Sequence, residues 1–133
     1  MSGAALARAA EGLTGCPFRL HGRDPATGLD CLGVVLAALT AIGRRPRFVG
    51  DYALRMRSVG ALTDNARTLG FTATGGARQL GDVILFVPGR HQYHLGIATG
   101  GDALIHAHAG LRRVVCAPQP LEWKAIGHWR LTD

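Results

Sequence analysis

The chain has 133 residues, enough for one domain over residues 1–133 and too few for two full cores. Hydrophobic residues make up 47% and charged residues 18%, which excludes a disordered chain, and no apolar run approaches the ~18 residues that a membrane span needs. The formal charge is +6, with 15 basic residues of which 14 are Arg, and three Cys form an odd, sparse set that argues against a disulfide scaffold.

Met1–Gly15 is Ala-rich. Ala5, Leu6, Ala9, Ala10 and Leu13 fall on one stripe at helical spacing, which predicts a helix ending near Gly12–Gly15. Arg8 and Glu11 interrupt what would be the apolar centre of a secretory signal, and no basic segment precedes it, so the segment reads as structure and not as a leader. Leu13-Thr14-Gly15-Cys16 imitates a lipoprotein cleavage box but lacks the apolar run such a box requires. Residues 16–30 (CPFRLHGRDPATGLD) read as a long loop, the length at which loops are usually functional. Asp30 then offers an N-cap and Gly43 a C-cap for a helix over Cys31–Ile42, apolar all round and so expected at the centre of the core.

Arg44-Arg45-Pro46-Arg47 connects to a second helical region, from about Asp51 to Leu69 with a break near Gly60. Leu62, Ala66 and Leu69 lie at i, i+4 and i+7, and Gly70 is a stop. The second half changes character. Val83–Val87 is a continuous apolar run between Gly81-Asp82 and Pro88-Gly89, and Tyr93–Thr99, Ala103–His108, Arg112–Cys116 and Ala125–Leu131 follow between Gly or Pro breaks. Helices first and strands after predict an α+β fold with an antiparallel meander.

The chemistry centres on three side chains. Cys31 opens the buried helix, where the positive end of the helix dipole lowers a thiol pKa and first-turn N–H groups can stabilise an oxyanion. In the strand Tyr93–Thr99, His94, Gly96 and Ala98 share one face, one His beside two small residues that would admit the helix closely. An odd loop, Thr99–Gly101 centred on Gly100, would place His94 directly opposite His106 with Cβ atoms ~4.5–5.5 Å apart. A two-residue Gly100-Gly101 turn would instead send His106 to the other face. His108 lies on the His106 face as an alternative orienting group or a wall of the site. His21, His91 and His128 have no such argument and read as surface or loop residues.

Gly15-Cys16-Pro17-Phe18, Gly28-Leu29-Asp30-Cys31-Leu32-Gly33-Val34-Val35, Gly81-Asp82-Val83-Ile84-Leu85-Phe86, His94-Leu95-Gly96-Ile97 and Leu104-Ile105-His106-Ala107 together resemble the NlpC-type cell-wall cysteine peptidases, in order and spacing, over about residues 5–131. The resemblance implies a papain-like α+β fold, with N-terminal helices packed on an antiparallel sheet of about five or six strands. It implies Cys31 as nucleophile, His94 as base and His106 as the polar third residue, working as a thiolate–imidazolium pair without a metal or other cofactor. It further implies cleavage of the peptidoglycan stem peptide after D-glutamate, at the bond leading to diaminopimelate. Phe18, Arg19, Asp30 and His108 are the expected substrate contacts, and Arg19, Arg23 and Arg90 are candidates for its carboxylates. The compact length and DCLG variant look most like versions encoded with phage tails or gene-transfer particles. On that reading the protein is made in the cytoplasm without a signal peptide, has phage-like tail proteins as partners, and acts particle-associated at the wall or periplasm. Two departures stand out: Leu32 follows the Cys where the family commonly has Ser, and Phe18 stands where it often has Tyr.

Two other readings come from different classes. His91, His94, His106 and His108, with Asp30 or Cys31, could assemble a zinc site, though no HExxH or CxxC is present. A non-enzymatic module, for tail assembly or nucleic-acid binding, would use the +6 charge. Arg44–Arg47, Arg55–Arg57 and Arg112–Arg113 are dispersed, however, and no aromatics interleave with them as a stacking platform requires, so nucleic acid is not an expected partner.

Overall fold

The computed structural model describes residues 2–47, 60–89, 92–120 and 122–133. The Ala-rich start forms α1 (Ser2–Glu11), which buries Leu6, Ala7 and Ala10, and Leu13 follows into the core. The 16–30 loop carries a small antiparallel hairpin, β1 (Arg23–Asp24) and β2 (Gly28–Leu29). Asp30 caps α2 (Cys31–Ala41) as expected, accepting from the Gly33 N–H at 2.8 Å. Gly43 takes the positive φ of +90° that follows a helix end. Burial is not all-round: Leu36 and Ala37 are only partly buried, and Thr40 and Ala41 in the last turn are exposed.

Of the second helical region, α3 (Gly60–Thr68) lies within the described residues, and Ala66 and Leu69 are buried against the core. The expected helix over 51–59 lies outside the described residues, as do Arg90 and His91.

The sheet has six strands: β3 (Phe71–Ala73), β4 (Val83–Gly89), β5 (Gln92–Ala98), β6 (Ala103–His108), β7 (Arg113–Pro118) and β8 (Lys124–Leu131). Their order is β3-β8-β4-β5-β6-β7, all antiparallel. The expected meander therefore holds for β4 to β7. β8 returns across it to sit between β4 and β3, a short strand that its three residues did not announce in the sequence.

The two faces of the sheet have different neighbours. Leu85, Leu95, Ile97, Ile105 and Ala107 join the main core with α1 and with Val34, Val35, Ala38 and Leu39 of α2. Ile84, Phe86, Ala98 and Leu104 form a second cluster on the other face, with Trp123 packed against it. This corrects the expectation that α2 would lie on the His94–Gly96–Ala98 face. The body of the helix covers the Leu95–Ile97 face, because that is where the bulky apolar area is. The space left by Gly96 admits an aromatic ring instead: a Cβ there would stand 3.4 Å from the Phe86 Cε2.

Register required a second correction. Ile97 pairs with Ile105 and Ala98 with Leu104, which centres the loop on Gly101, at φ +74°, and not on Gly100. The loop is still odd, so His94 and His106 keep a common face. Carried along the strands, however, this register sets His106 opposite Gly96 and puts His94 on its diagonal. Thr99 closes the loop, its N–H and Oγ1 both reaching the Ala103 carbonyl, at 3.1 and 3.2 Å.

Candidate active site

Asp30 organises the start of α2. It is wholly buried, and its carboxylate accepts from the His21 N–H at 2.8 Å, the Gly33 N–H at 2.8 Å and the Arg23 guanidinium at 3.0 Å. One carboxylate thus caps the helix and ties the loop 17–29 to it. With no exposed surface it does not fit the expected role of substrate contact. Loop and helix approach as closely as backbone allows, since a Cβ on Gly33 would lie 2.1 Å from the Gly22 carbonyl oxygen. Cys31 sits at this junction as the first residue of α2, 1% exposed. No disulfide links the three cysteines.

Phe18 is half-buried against the core, and its strand of loop is pinned on both sides, by the Arg112 carbonyl at 2.9 Å and by a bridge to Leu29. Arg19 is exposed, its backbone N–H donating to the Leu29 carbonyl at 3.2 Å and its carbonyl accepting from the Gly22 N–H at 2.8 Å.

α2 packs on β5 and β6, the two strands that carry the histidines. His94 Nε2 lies 3.0 Å from His106 Nδ1, and the rings meet edge to face with centroids 5.0 Å apart. The diagonal register explains the contact: ~7–8 Å between diagonal neighbours is a span that two imidazoles bridge and two short side chains do not. His106 is 2% exposed. His108 stands beyond it, ring centroids 5.9 Å apart, and its Nδ1 accepts from the Leu111 N–H at 3.0 Å.

Trp123 completes the cluster, a residue that sequence reasoning missed. Its ring meets His94 at 4.8 Å, His106 at 5.2 Å and Phe86 at 5.6 Å between centroids. Gln119 holds it in place, donating from Nε2 to the Trp123 carbonyl at 2.8 Å while its Oε1 accepts from Arg78 at 2.7 Å. The available signal was a Trp just after Pro118-Gln119-Pro120, which fixes the connector before β8.

Burial drives the electrostatics. Desolvation, and then the nearby His106 and His108, push the His94 pKa down to about 3. Desolvation and His108 also lower His106, against a backbone hydrogen bond that raises it. Both rings are therefore neutral at neutral pH, which fits one N–H of one ring donating to the bare nitrogen of the other. Among the described residues no three His, Cys, Asp or Glu side chains stand where they could hold a metal ion, so the zinc alternative finds no ligand set there.

A separate cluster lies under the Gly-Asp turn before β4. Asp82, wholly buried, accepts from the Gln79 N–H at 2.9 Å, from Arg130 twice at 2.9 Å, and pairs with His128 Nε2 at 2.6 Å. His128, expected at the surface, is instead half-buried in this network on β8.

This arrangement can be set beside known proteins. The model of the NlpC/P60 family matches residues 15–125, most of the chain. The chain belongs to the NlpC/P60 family. Its fold is that of solved family structures. It aligns with the NlpC/p60 domain of the peptidoglycan hydrolase SagA at TM-score 0.67 and 23% identity, over 97% of this chain and 98% of that one. It aligns with the peptidoglycan hydrolase RipB from Mycobacterium tuberculosis at TM-score 0.68 and 19% identity, over 99% and 65%. The P60 domain of an antigen from M. avium subspecies paratuberculosis gives TM-score 0.66 and 17% identity, over 99% and 96%. No curated protein sequence matches. The papain-like α+β architecture expected of an NlpC/P60 domain is thus present, with its helices N-terminal to a six-stranded antiparallel sheet.

Proposed function

We propose that this NlpC/P60 domain is a cysteine peptidase that cleaves peptidoglycan stem peptides, with Cys31 as nucleophile, His94 as general base and His106 as the group that orients it. The observation that carries the proposal is the 3.0 Å contact between His94 Nε2 and His106 Nδ1, on the strands against which the Cys31 helix packs. When the His94 Nε2–H donates in this contact, the other ring nitrogen, Nδ1, is left bare as a base. The reverse tautomer would place a proton on the nitrogen that has to accept one.

Burial and the two neighbouring imidazoles hold the His94 ring down to about 3, so it offers a neutral base, and it takes the Sγ proton as Cys31 attacks the scissile carbonyl. The imidazolium formed then protonates the leaving amine, a thioester remains on Cys31, and water hydrolyses it with His94 again as base. Oxyanion donors come from the first turn of α2. Since Asp30 takes the Gly33 and Val34 N–H groups, the Leu32 N–H is the donor next to the thiol. Asp30 acts as a positioning residue, Phe18 as part of the cleft wall and His108 as a rim group, while Arg19 offers an exposed cation to the acidic polymer.

The finer reading places the cut after D-glutamate, at the bond leading to diaminopimelate, in an enzyme delivered by a phage-like tail and acting at the wall. The test is digestion of purified peptidoglycan by the wild type and by Cys31→Ala, with products identified by mass. Thiol-dependent fragments with a new diaminopimelate amino terminus are expected. Equal release by both proteins, or by neither, overturns the peptidase reading.

A further inference from the structure

The sheet order sets the path of the link from β7 to β8. β6, β5 and β4 separate these two strands, so the link between Pro118 and Lys124 has to cross them. Trp123 lands on the face that carries Phe86, His94 and His106, packed against the cluster of Ile84, Phe86, Ala98 and Leu104. Phe86 stands opposite His94 in the β4–β5 ladder, so Trp123 rests on both members of that pair.

Three rings meet two by two at this point. His94 and His106 lie 5.0 Å apart at 84°, His94 and Trp123 4.8 Å at 68°, and His106 and Trp123 5.2 Å at 67°. All three pairs are edge to face, the geometry that ring quadrupoles favour. In such a triangle no ring turns alone. Rotation of His94 about its Cβ–Cγ bond sweeps a ring edge through space that Trp123 and His106 fill. Orientation decides the chemistry here, because only one setting keeps Nε2 at 3.0 Å from His106 Nδ1 and leaves Nδ1 to take a proton. A half-turn puts a ring carbon where each nitrogen was.

Trp123 is in turn held from outside the histidine pair. Its N–H donates to the Pro120 carbonyl at 3.1 Å, and its carbonyl accepts from Gln119 Nε2 at 2.8 Å, so its backbone is fixed on both sides. Gln119 stands between Pro118 and Pro120, whose rings restrict the chain around it. Its Oε1 accepts from Arg78 Nη2 at 2.7 Å. The Arg78 guanidinium lies over the Phe86 ring, 5.6 Å from its centroid, within reach of a cation–π contact. Phe86 meets Trp123, also at 5.6 Å. Arg78, Gln119, Trp123 and Phe86 thus close a ring of contacts, and the exposed Arg78 ties the turn before β4 to the link before β8.

We propose that Arg78, Gln119 and Trp123 form a brace of positioning residues for the reaction: Trp123 wedges the His94 ring against His106 in its working orientation, and Arg78 and Gln119, whose hydrogen bonds go to one another and to the Trp123 carbonyl, act on the reaction by keeping Trp123 there. The role in the reaction rests on the peptidase reading of His94, while the clamping of the ring does not. Loss of the brace leaves the thiol and both histidines present, so it lowers the rate of the chemical step and leaves substrate binding nearly intact.

The test reads the state of the ring directly. Ring nitrogen shifts are recorded at neutral pH in protein labelled with nitrogen-15 histidine, and the His94 signals are identified by their loss in His94→Gln. The wild type is expected to show one nitrogen bearing its proton and one bare. In Trp123→Ala the two signals are expected to move toward their common mean, as the freed ring takes both tautomers, and in Arg78→Ala and Gln119→Ala to move the same way by less. Trp123→Phe and Arg78→Lys, which keep a ring and a donor in place, are expected to stay near the wild type. On a soluble stem peptide kcat is expected to fall about a hundredfold in Trp123→Ala and about tenfold in Arg78→Ala, with KM within about twofold. Arg78→Ala and Gln119→Ala together are expected to cost no more than the worse of the two alone, since they break one chain of contacts. Arg78 is exposed, so Arg78→Ala is expected to melt as the wild type does, and it decides the matter where Trp123→Ala does not fold. Wild-type His94 signals in folded Arg78→Ala and Gln119→Ala overturn the proposal, whatever the rates. Displaced signals in these variants, beside a wild type that cleaves nothing, sustain the brace and defeat the peptidase reading instead.

Discussion

His94 is the side chain on which the chemistry turns, and its position has a thermodynamic signature. Its pKa falls from the ordinary 6.5 to about 3 because burial strips water from the charged form and two other imidazoles repel it. Above pH 6.5 the ring is neutral in both folded and unfolded chains, so its contribution to stability is constant there. Between 6.5 and about 3 the unfolded chain binds a proton that the folded one does not, and stability falls with pH by about 1.4 kcal/mol per unit. His106, shifted in the same direction, adds to the fall. Chemical denaturation at pH 7, 6, 5 and 4 is expected to show this slope in the wild type and a shallower one in His94→Gln; identical slopes would contradict the burial of the pair. The sequence placed both histidines on one face, since strand parity is enough for that. It did not place Trp123 over them, because a ring contact between a loop residue and two strands depends on the path of the whole connector.

At the scale of elements, the start of α2 is governed by what lies against it. Asp30 was legible as a cap, since an Asp before an apolar run has a local meaning. Its second task was not legible: fixing the loop through the His21 N–H and Arg23 needs the loop folded back on the helix. Gly33 is the sharpest probe of that contact. A methyl group 2.1 Å from the Gly22 carbonyl forces two backbones apart, with no flexible side chain to give way. Gly33→Ala is expected to cost roughly 2–4 kcal/mol. It should also displace the loop carrying Phe18, so that activity falls further than the unfolded fraction explains. Thermal melting and activity measured at a temperature where the variant is folded separate the two effects. The β5–β6 hairpin shows the opposite balance. Gly100 and Gly101 announced a turn, but the loop is centred one residue later than expected, because Thr99 closes it on Ala103 with two hydrogen bonds.

For the whole molecule, the Asp82 cluster does what a disulfide does in a scaffold with bridged cysteines. It joins the turn before β4 to β8, its neighbour in the sheet but distant in sequence, and Gly81 packs so tightly against Gly3 at the start of α1 that a Cβ would stand 2.0 Å from the Gly3 carbonyl oxygen. Burial alone would raise the Asp82 pKa, but Arg130, the Gln79 N–H and His128 together hold it below the usual carboxylate range. Removing this carboxylate strands a half-buried His128 and an Arg130 that is 31% exposed. Water can reach the Arg, so the loss should sit at the lower end for a broken buried pair, about 3 kcal/mol. Asp82→Ala is expected to melt roughly 10 °C lower. Hydrolysis at low temperature should be retained, because the cluster does not touch the histidine pair. A variant that melts normally would show the network to be incidental.

The sequence by itself determined the class of fold, the capped apolar helix that presents Cys31, the strands that follow it, and the common face of His94 and His106. These are local or periodic properties: caps, apolar runs and strand parity act over a few residues and survive any packing. Only the tertiary structure decided which face of the sheet takes α2, that β8 crosses back beside β4, that Trp123 closes over the histidines, and that Arg78 and Gln119 hold it there. Each of those choices rests on contacts between segments far apart in the chain, where bulk on one face, a single glycine on the other and the reach of a covering loop set the outcome together.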